Sequence, residues 1–215
     1  MKLASALYAS FYPFDEFKHD DKTPFFTDFR GVSTPGELTM EDCLLVHGGA
    51  DISPSLYNKA VSRYTMADAQ LSHRDHAEWE LMKRAKELGI PIIGICRGAQ
   101  MLCALAGGFL IQDVNNHGRS HGVETYDNKK FMVSSCHHQM LQPFSVDHVM
   151  VAKSTYRMST HYMDVDESVE MEIEPEFVYF PKERGIAIQW HPEWMPVEGH
   201  ANLFVKEKVK EYCKL

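Results

Sequence analysis

Pro91-Ile-Ile-Gly-Ile-Cys-Arg-Gly-Ala-Gln100 is the stretch from which the fold of this chain is read. Isoleucines at 92, 93 and 95, behind a proline, have the β-branched character of a short strand buried on both faces. The run stops at Cys96. Arg97 to Ala106 is helix-forming and closes on Gly107-Gly108, a pair that stops a helix. A strand that turns at once into a helix, with glycines two residues either side of a cysteine, has the outline of a nucleophile elbow. Gly94 and Gly98 keep side chains out of the cramped turn, so the thiol projects above the sheet. There it meets the positive end of a helix, where unpaired N–H groups favour thiolate over thiol. The Arg97 N–H would face an oxyanion forming beside the sulfur. The plainer alternative is a buried structural cysteine, as most free cysteines are.

Outward from the elbow the chain keeps a βα rhythm. Upstream, Ser72-His-Arg-Asp75 reads as a capping box opening a helix, with Ala77, Leu81, Met82, Ala85 and Leu88 on one face and Gly89 as its stop. Cys43–His47 is a second buried strand running into Gly48-Gly49-Ala50-Asp51, and Leu3–Ala9 an opening one. Paired glycines let a backbone approach a ligand with its N–H groups inward, as an oxyanion loop must; an ordinary turn is the plainer reading. Phe11 to Gly36, aromatic and acidic with three prolines, is expected to be loop with a short helix. Downstream, Phe109–Val114 reads as one strand, Asn115–Lys130 as loop, and Phe131–Cys136 and Val149–Lys153 as antiparallel strands around Cys136-His-His-Gln-Met140. Glu170–Ile173 and Phe177–Phe180 read as a pair near an edge, and Ile186–Trp190 as a strand ending in His191-Pro-Glu193. Gly199–Tyr212 closes as an amphipathic helix with Leu203, Phe204 and Val209 on its apolar side. The expected fold is α/β: a single domain spanning 1–215, with a mostly parallel central sheet, helices on both faces and a small antiparallel extension.

Composition narrows the function. At 215 residues, 44% hydrophobic and 24% charged, the chain can bury a full core. Its net charge of −8 argues against a nucleic-acid surface. No segment approaches the roughly 20 apolar residues of a membrane span, and no signal-peptide pattern is visible, so no membrane partner is expected. Five cysteines without a CxxC pair suit free thiols in a reducing compartment, and a cytoplasmic location is expected. Twelve histidines include 73/76 and 117/121 at helix-compatible spacing, but no HExxH pattern; scattered histidines and no metal are expected.

A cysteine nucleophile needs a base, and the base an orienting group. His191 and Glu193, two apart at a strand end, are expected to point the same way, with Pro192 stiffening the spacing. Doubly wound sheets gather functional groups beyond the carboxyl ends of their strands, which brings Cys96, the Gly48-Gly49 loop and this pair to one edge.

Gly94-Ile-Cys96-Arg-Gly98-Ala-Gln100 with His191-Pro-Glu193 resembles the class I glutamine amidotransferase superfamily, whose signature is G-x-C-x-G-x-Q and a late H-P-E. The resemblance is closer to its γ-glutamyl hydrolase branch (peptidase C26, including γ-glutamyl-GABA hydrolases). That branch shows G-G-x-D-x-x-P-x-x-Y, a helix opening R-D, the elbow and H-H-Q; this chain has Gly48 to Tyr57, Arg74-Asp75, the elbow and His137-His138-Gln139, in that order. One departure is Asn58 where the family has glycine, tolerable because asparagine also accepts left-handed geometry.

The resemblance implies a flavodoxin-like sheet and these roles. Cys96 attacks a γ-glutamyl carbonyl while Gly49 and Arg97 N–H groups hold the oxyanion. His191 carries the proton to the departing amine, and Glu193 fixes its tautomer. Gln100 and the backbone around Ser135, Cys136 and His137 hold the glutamyl ends. No cofactor is implied. The small γ-glutamyl substrate is cleaved to glutamate through a thioester. The alternative is a glutaminase subunit delivering ammonia to a separate synthetase chain; a third reading is an inactive γ-glutamyl-binding protein.

Overall fold

The computed structural model describes residues 2–6, 29–196 and 198–214. Most of the 11–36 loop, and positions 7–9 of the opening strand, lie outside them. In chain order the elements are β1 (Lys2–Ala6), β2 (Phe29–Val32), β3 (Asp42–Val46), α1 (His73–Leu88), β4 (Ile92–Ile95), α2 (Arg97–Leu105), β5 (Phe109–Ile111), β6 (Asp113–Val114) and β7 (His121–Thr125). There follow β8 (Lys130–Val133), β9 (Met140–Gln142), β10 (Val149–Ser154), β11 (Tyr162–Asp164), β12 (Glu167–Ser168), β13 (Pro175–Phe180), β14 (Gly185–Ile188) and α3 (His200–Cys213).

The isoleucine strand β4 lies inside a nine-stranded sheet of order β2-β1-β3-β4-β14-β13-β10-β7-β8. From β2 to β14 every pairing is parallel; from β14 to β8 every pairing is antiparallel. The antiparallel extension is thus a continuation of the same sheet, with two small sheets, β12-β11-β6 and β5-β9, beside it.

Strand alternation decides what each face packs against. Ala4, Leu44, Val46 and Ile92 point into a core shared with Leu81, Met82 and Ala85 of α1 and Met101 and Leu102 of α2. Their neighbours Leu3, Cys43, Leu45, Ile93 and Ile95 point the other way, onto Phe204, Val205 and Val209 of α3. Helices therefore cover both faces, and each fully buried aliphatic side chain contributes roughly 1.5–3 kcal/mol. The caps are as the sequence requires. Ser72 Oγ accepts from Asp75 N (3.0 Å), Asp75 Oδ2 accepts from Ser72 N (3.1 Å), and Gly89 ends α1 in the left-handed region. Asn58 closes the Pro54–Tyr57 turn at φ 57°, the geometry its amide side chain tolerates.

Several expectations are corrected. The described end of the 11–36 stretch is not loop alone, because Phe29–Val32 forms β2 against β1. The 115–130 stretch is not all loop either, because His121–Thr125 forms β7. Its His-Gly-Val-Glu-Thr sequence has too little apolar character to announce a strand, and pairing with β10 and β8 supplies what local pattern lacks. β8 and β10 accordingly do not pair with each other. Phe109–Val114 breaks at Gln112, whose backbone N–H and amide reach Met163 O (2.8 Å) and Ala60 O (2.9 Å), so β5 and β6 join different sheets. Glu170–Ile173 forms no strand, and β13 lies inside the sheet between β14 and β10 rather than near an edge. On α3, Phe204 and Val209 are buried but Leu203 is 43% exposed.

Candidate active site

At the carboxyl end of β4, Cys96 adopts φ 49°, ψ −105°, outside the relaxed regions for a side-chain-bearing residue. Such a conformation costs about 1–3 kcal/mol and persists only where the surroundings impose it. Here they do. Cys96 N donates to Ile188 O of β14 at 2.7 Å, while α2 begins at the next residue. A Cβ on Gly98 would stand 2.2 Å from Val46 O, and one on Gly94 2.4 Å from Gly98 O, so only glycine fits on either side of the elbow. The Arg97 N–H points at the Cys96 sulfur, as an oxyanion donor beside the nucleophile must.

The Gly48-Gly49 loop is braced from behind. Arg74 Nη2 donates to Gly48 O (2.9 Å) and His47 O (3.3 Å), and a Cβ on Gly49 would lie 2.2 Å from Arg74 Nη1. Arg74 Nε in turn bonds Glu78 (2.9 Å), and Arg97 pairs with Asp75 (2.5 Å) and with Glu78. Two cations and two carboxylates thus balance inside the fold and tie the start of α1 to the elbow. The sequence assigned Arg97 a backbone role alone; its side chain is also a brace. Arg74-Asp75 was legible as a motif but not as this brace, because the partners Gly48 and Arg97 are distant in sequence.

His191 and Glu193 meet through a turn. β14 ends at Ile188, earlier than the expected strand, and Pro192–Trp194 forms a single 3₁₀ turn that folds Glu193 back. Glu193 Oε1 accepts from His191 Nδ1 at 2.7 Å, which leaves Nε2 for the reacting groups. Trp194 stacks on the imidazole, ring centroids 3.8 Å apart and planes at 7°, an arrangement that holds the ring and favours its cationic form. The motif spelling alone gave no role for Trp194.

Nε2 contacts a second thiol. Cys136 Sγ lies 3.3 Å from His191 Nε2 and is hydrogen-bonded to Cys96 as well. The path from expected nucleophile to expected base therefore runs Cys96–Cys136–His191–Glu193. Two backbone ties set it: His191 N donates to Ser134 O (3.2 Å) and Ser134 Oγ to His191 O (2.6 Å). Burial lowers the His191 pKa, but Cys136 and Glu193 outweigh it and hold the imidazole up to about 9. The two thiols share one charge: hydrogen bonds from Cys96 and His191 pull the Cys136 pKa down, and that same neighbour together with burial pushes the Cys96 pKa up.

These groups open on a cavity of about 350 Å³ lined by Gly49, Cys96, Gln100, Cys136, His137 and His191 among others. Of the expected substrate-binding residues, Gln100, Cys136 and His137 line it; Ser135 instead turns its hydroxyl to His117 O at 2.6 Å. Asp51 and His138 add a pair at the cavity wall, 3.0 Å apart.

The histidines are less scattered than the sequence suggested. His121 Nε2 lies 2.9 Å, His117 Nδ1 3.4 Å and His137 Nε2 3.8 Å from Glu176 Oε1, all buried. His117, His137 and Glu176 have the residue types of a metal site, with ligand atoms within 4.8 Å of one another. Burial opposes ionisation of His117, but Glu174 and Glu176 hold its pKa up to about 9.

Among known proteins, the Peptidase C26 family profile matches residues 35–193. A candidate glutamine amidotransferase-like protein of Lactococcus lactis, YvdE, is 27% identical over 73% of this chain and 67% of its own length. One of Rickettsia prowazekii is 35% identical over 49% of this chain, which spans only 37% of that relative. A structure from Thermoplasma acidophilum, described as a candidate subunit of GMP synthase, superposes with TM-score 0.61 over all of this chain and 94% of its own, at 15% identity, a likeness of fold alone. Among the described residues no helix is long and apolar enough to cross a membrane.

Proposed function

The chain belongs to the Peptidase C26 family of the class I glutamine amidotransferase superfamily, and on that premise we propose that it hydrolyses a γ-glutamyl amide through a thioester on Cys96. The observation carrying this reading is the bonded series Cys96–Cys136–His191–Glu193 at the mouth of a cavity, beside a strained elbow. Cys96 gives up its proton to the Cys136 thiolate beside protonated His191, and its sulfur attacks the γ-carbonyl carbon. The developing oxyanion takes hydrogen bonds from the Arg97 and Gly49 N–H groups, where fixed dipoles act without reorganising. Protonated His191, its tautomer fixed by Glu193, passes a proton to the departing nitrogen and the amine leaves. Water then attacks the thioester with His191 as base, and glutamate is released. Gln100, with the segment at Cys136 and His137, holds the glutamyl ends. A reducing compartment such as the cytoplasm suits the five free thiols.

The second reading, a glutaminase chain that hands ammonia to a separate synthetase, is favoured by the shared fold with a protein described as part of a synthase. One screen tests both: glutamate release from glutamine and a set of γ-glutamyl amides, with and without candidate synthetases. Turnover of small γ-glutamyl amines by the chain alone supports hydrolysis. Activity confined to glutamine and raised by a synthetase supports the ammonia-delivery reading. Cys96→Ala is expected to lose roughly 10³-fold or more in kcat; full activity in that variant overturns both.

A further inference from the structure

The described cysteines include two touching pairs that differ in one respect. Cys43 and Cys213 are hydrogen-bonded to each other and sealed in the core under α3. Cys96 and Cys136 are also hydrogen-bonded, but Cys136 is exposed at the cavity while Cys96 stands 5% exposed behind it. The second pair is not a chance of side-chain rotation. Cys136 lies two residues after Ser134, whose backbone and hydroxyl are bonded to His191, and the elbow fixes Cys96 on the other side. An accessible thiol next to a partner thiol is the arrangement in which oxidation ends in a disulfide rather than in higher sulfur acids.

We propose that Cys136 is an oxidant-modification site: a hydroperoxide converts its thiol to a sulfenic acid, and Cys96 closes a reversible disulfide with it. In the first step the Cys136 sulfur gives an electron pair to the terminal peroxide oxygen. The O–O bond breaks, and Cys136 becomes the sulfenic acid while the other oxygen leaves as hydroxide or alkoxide and takes up a proton. In the second, the Cys96 sulfur attacks the Cys136 sulfur, the S–S bond forms, the S–O bond breaks, and the departing hydroxide takes the Cys96 proton to become water. Two thiols and one hydroperoxide thus yield one disulfide and two molecules of water (or one of water and one alcohol). An external dithiol reverses it by thiolate exchange. The lowered pKa of Cys136 makes it the sulfur that reacts first, and its exposure lets the oxidant arrive. While the bond stands, Cys96 cannot form the thiolate that attacks a carbonyl, yet it is protected from irreversible oxidation.

The consequence for turnover rests on the proposed role of Cys96; the bond itself does not. The full chain is treated with hydrogen peroxide, its remaining thiols are alkylated without reduction, and the peptides are mapped by mass. A linked Cys96–Cys136 peptide, with Cys43, Cys103 and Cys213 still reduced, is the expected result, and dithiothreitol should restore both thiols together with any glutamate release. In Cys136→Ser the same treatment should drive Cys96 to sulfinic and sulfonic acids that dithiothreitol does not reverse. Recovery of Cys136 fully alkylated from peroxide-treated protein overturns the proposal. So does wild-type Cys96 reaching the sulfinic acid as fast as in Cys136→Ser. The mass map reads either outcome even if no γ-glutamyl amide is turned over, so failure here and failure of the hydrolase reading are told apart.

Discussion

Two imidazole–carboxylate pairs in this protein use the same chemical groups to different ends. His121 and Glu176 meet at 2.9 Å inside the core, with His117 and Glu174 completing the balance of charge and His137, its pKa lowered by burial, beside them. His191 and Glu193 meet at 2.7 Å, but the far nitrogen of His191 faces a thiol at an open cavity. An imidazole becomes useful to chemistry when one nitrogen is fixed and the other is left to a reacting group. In His121 both nitrogens are taken, by Glu176 and by Arg119 O, and the buried group pins β7 and the 135–137 segment to β13.

The comparison can be broken from either side. The largest effect is expected from Glu193→Gln, which leaves the geometry but permits the wrong tautomer: kcat should fall by roughly 10⁴-fold with the urea midpoint little changed. A variant that unfolds instead of slowing would make the His191 pair structural. Glu176→Gln should do the reverse. Removing one charge from a buried ionic group destabilises by about 3–5 kcal/mol, read by urea unfolding, while kcat of the folded fraction changes little. A large loss of kcat at unchanged stability would erase the distinction.

Next in size is a pH effect. His117 is held from its ordinary 6.5 up to about 9 in the fold, so its contribution is full below pH 6.5 and is lost as pH rises through about 9. Glu174 works at the other end. Burial opposes its charge, but His117, the Met158 and Ser159 N–H groups and Tyr162 bring its pKa down to about 2. Its contribution is therefore full above 4.5 and is lost as pH falls through about 2. Urea midpoints taken from pH 6 to pH 10 should fall, and should still fall in His191→Asn, since His117 belongs to the sealed group; a flat profile in that variant would assign the effect to the active site. The smallest effect is Trp194→Ala. Loss of the stacked ring should weaken the cationic form of His191 by about 0.5–1 kcal/mol, a roughly two- to fivefold change in kcat, with the His191 pKa displaced downward in an NMR titration.

Local order was what the sequence could spell. The isoleucines of β4, the abrupt start of α2, the Ser72/Asp75 box and the left-handed Asn58 each follow from steric or hydrogen-bonding rules acting over four residues or fewer. The parallel strands β1, β3, β4 and β14 were legible because burial on both faces leaves near-continuous apolar runs, whereas β2, at the sheet edge, fell in the stretch read as loop. β7 was not, because a strand with a histidine, a glycine and a glutamate among its five residues depends on its neighbours for its existence. Leu203 misled for a related reason: a helix pattern shows an apolar stripe but not how far the sheet reaches to cover it.

The same division runs through the candidate site. Cys96, Gly49 and the His191/Glu193 pair lie within motifs, and their identity alone determined the chemistry to be expected of them. Only the tertiary structure decided that Cys136 stands between Cys96 and His191, that Arg74 and Arg97 brace the glycine loop, and that three histidines converge on Glu176. Each of those contacts joins residues far apart in the chain, and no local periodicity encodes a distance that is set by how the sheet stacks its strands.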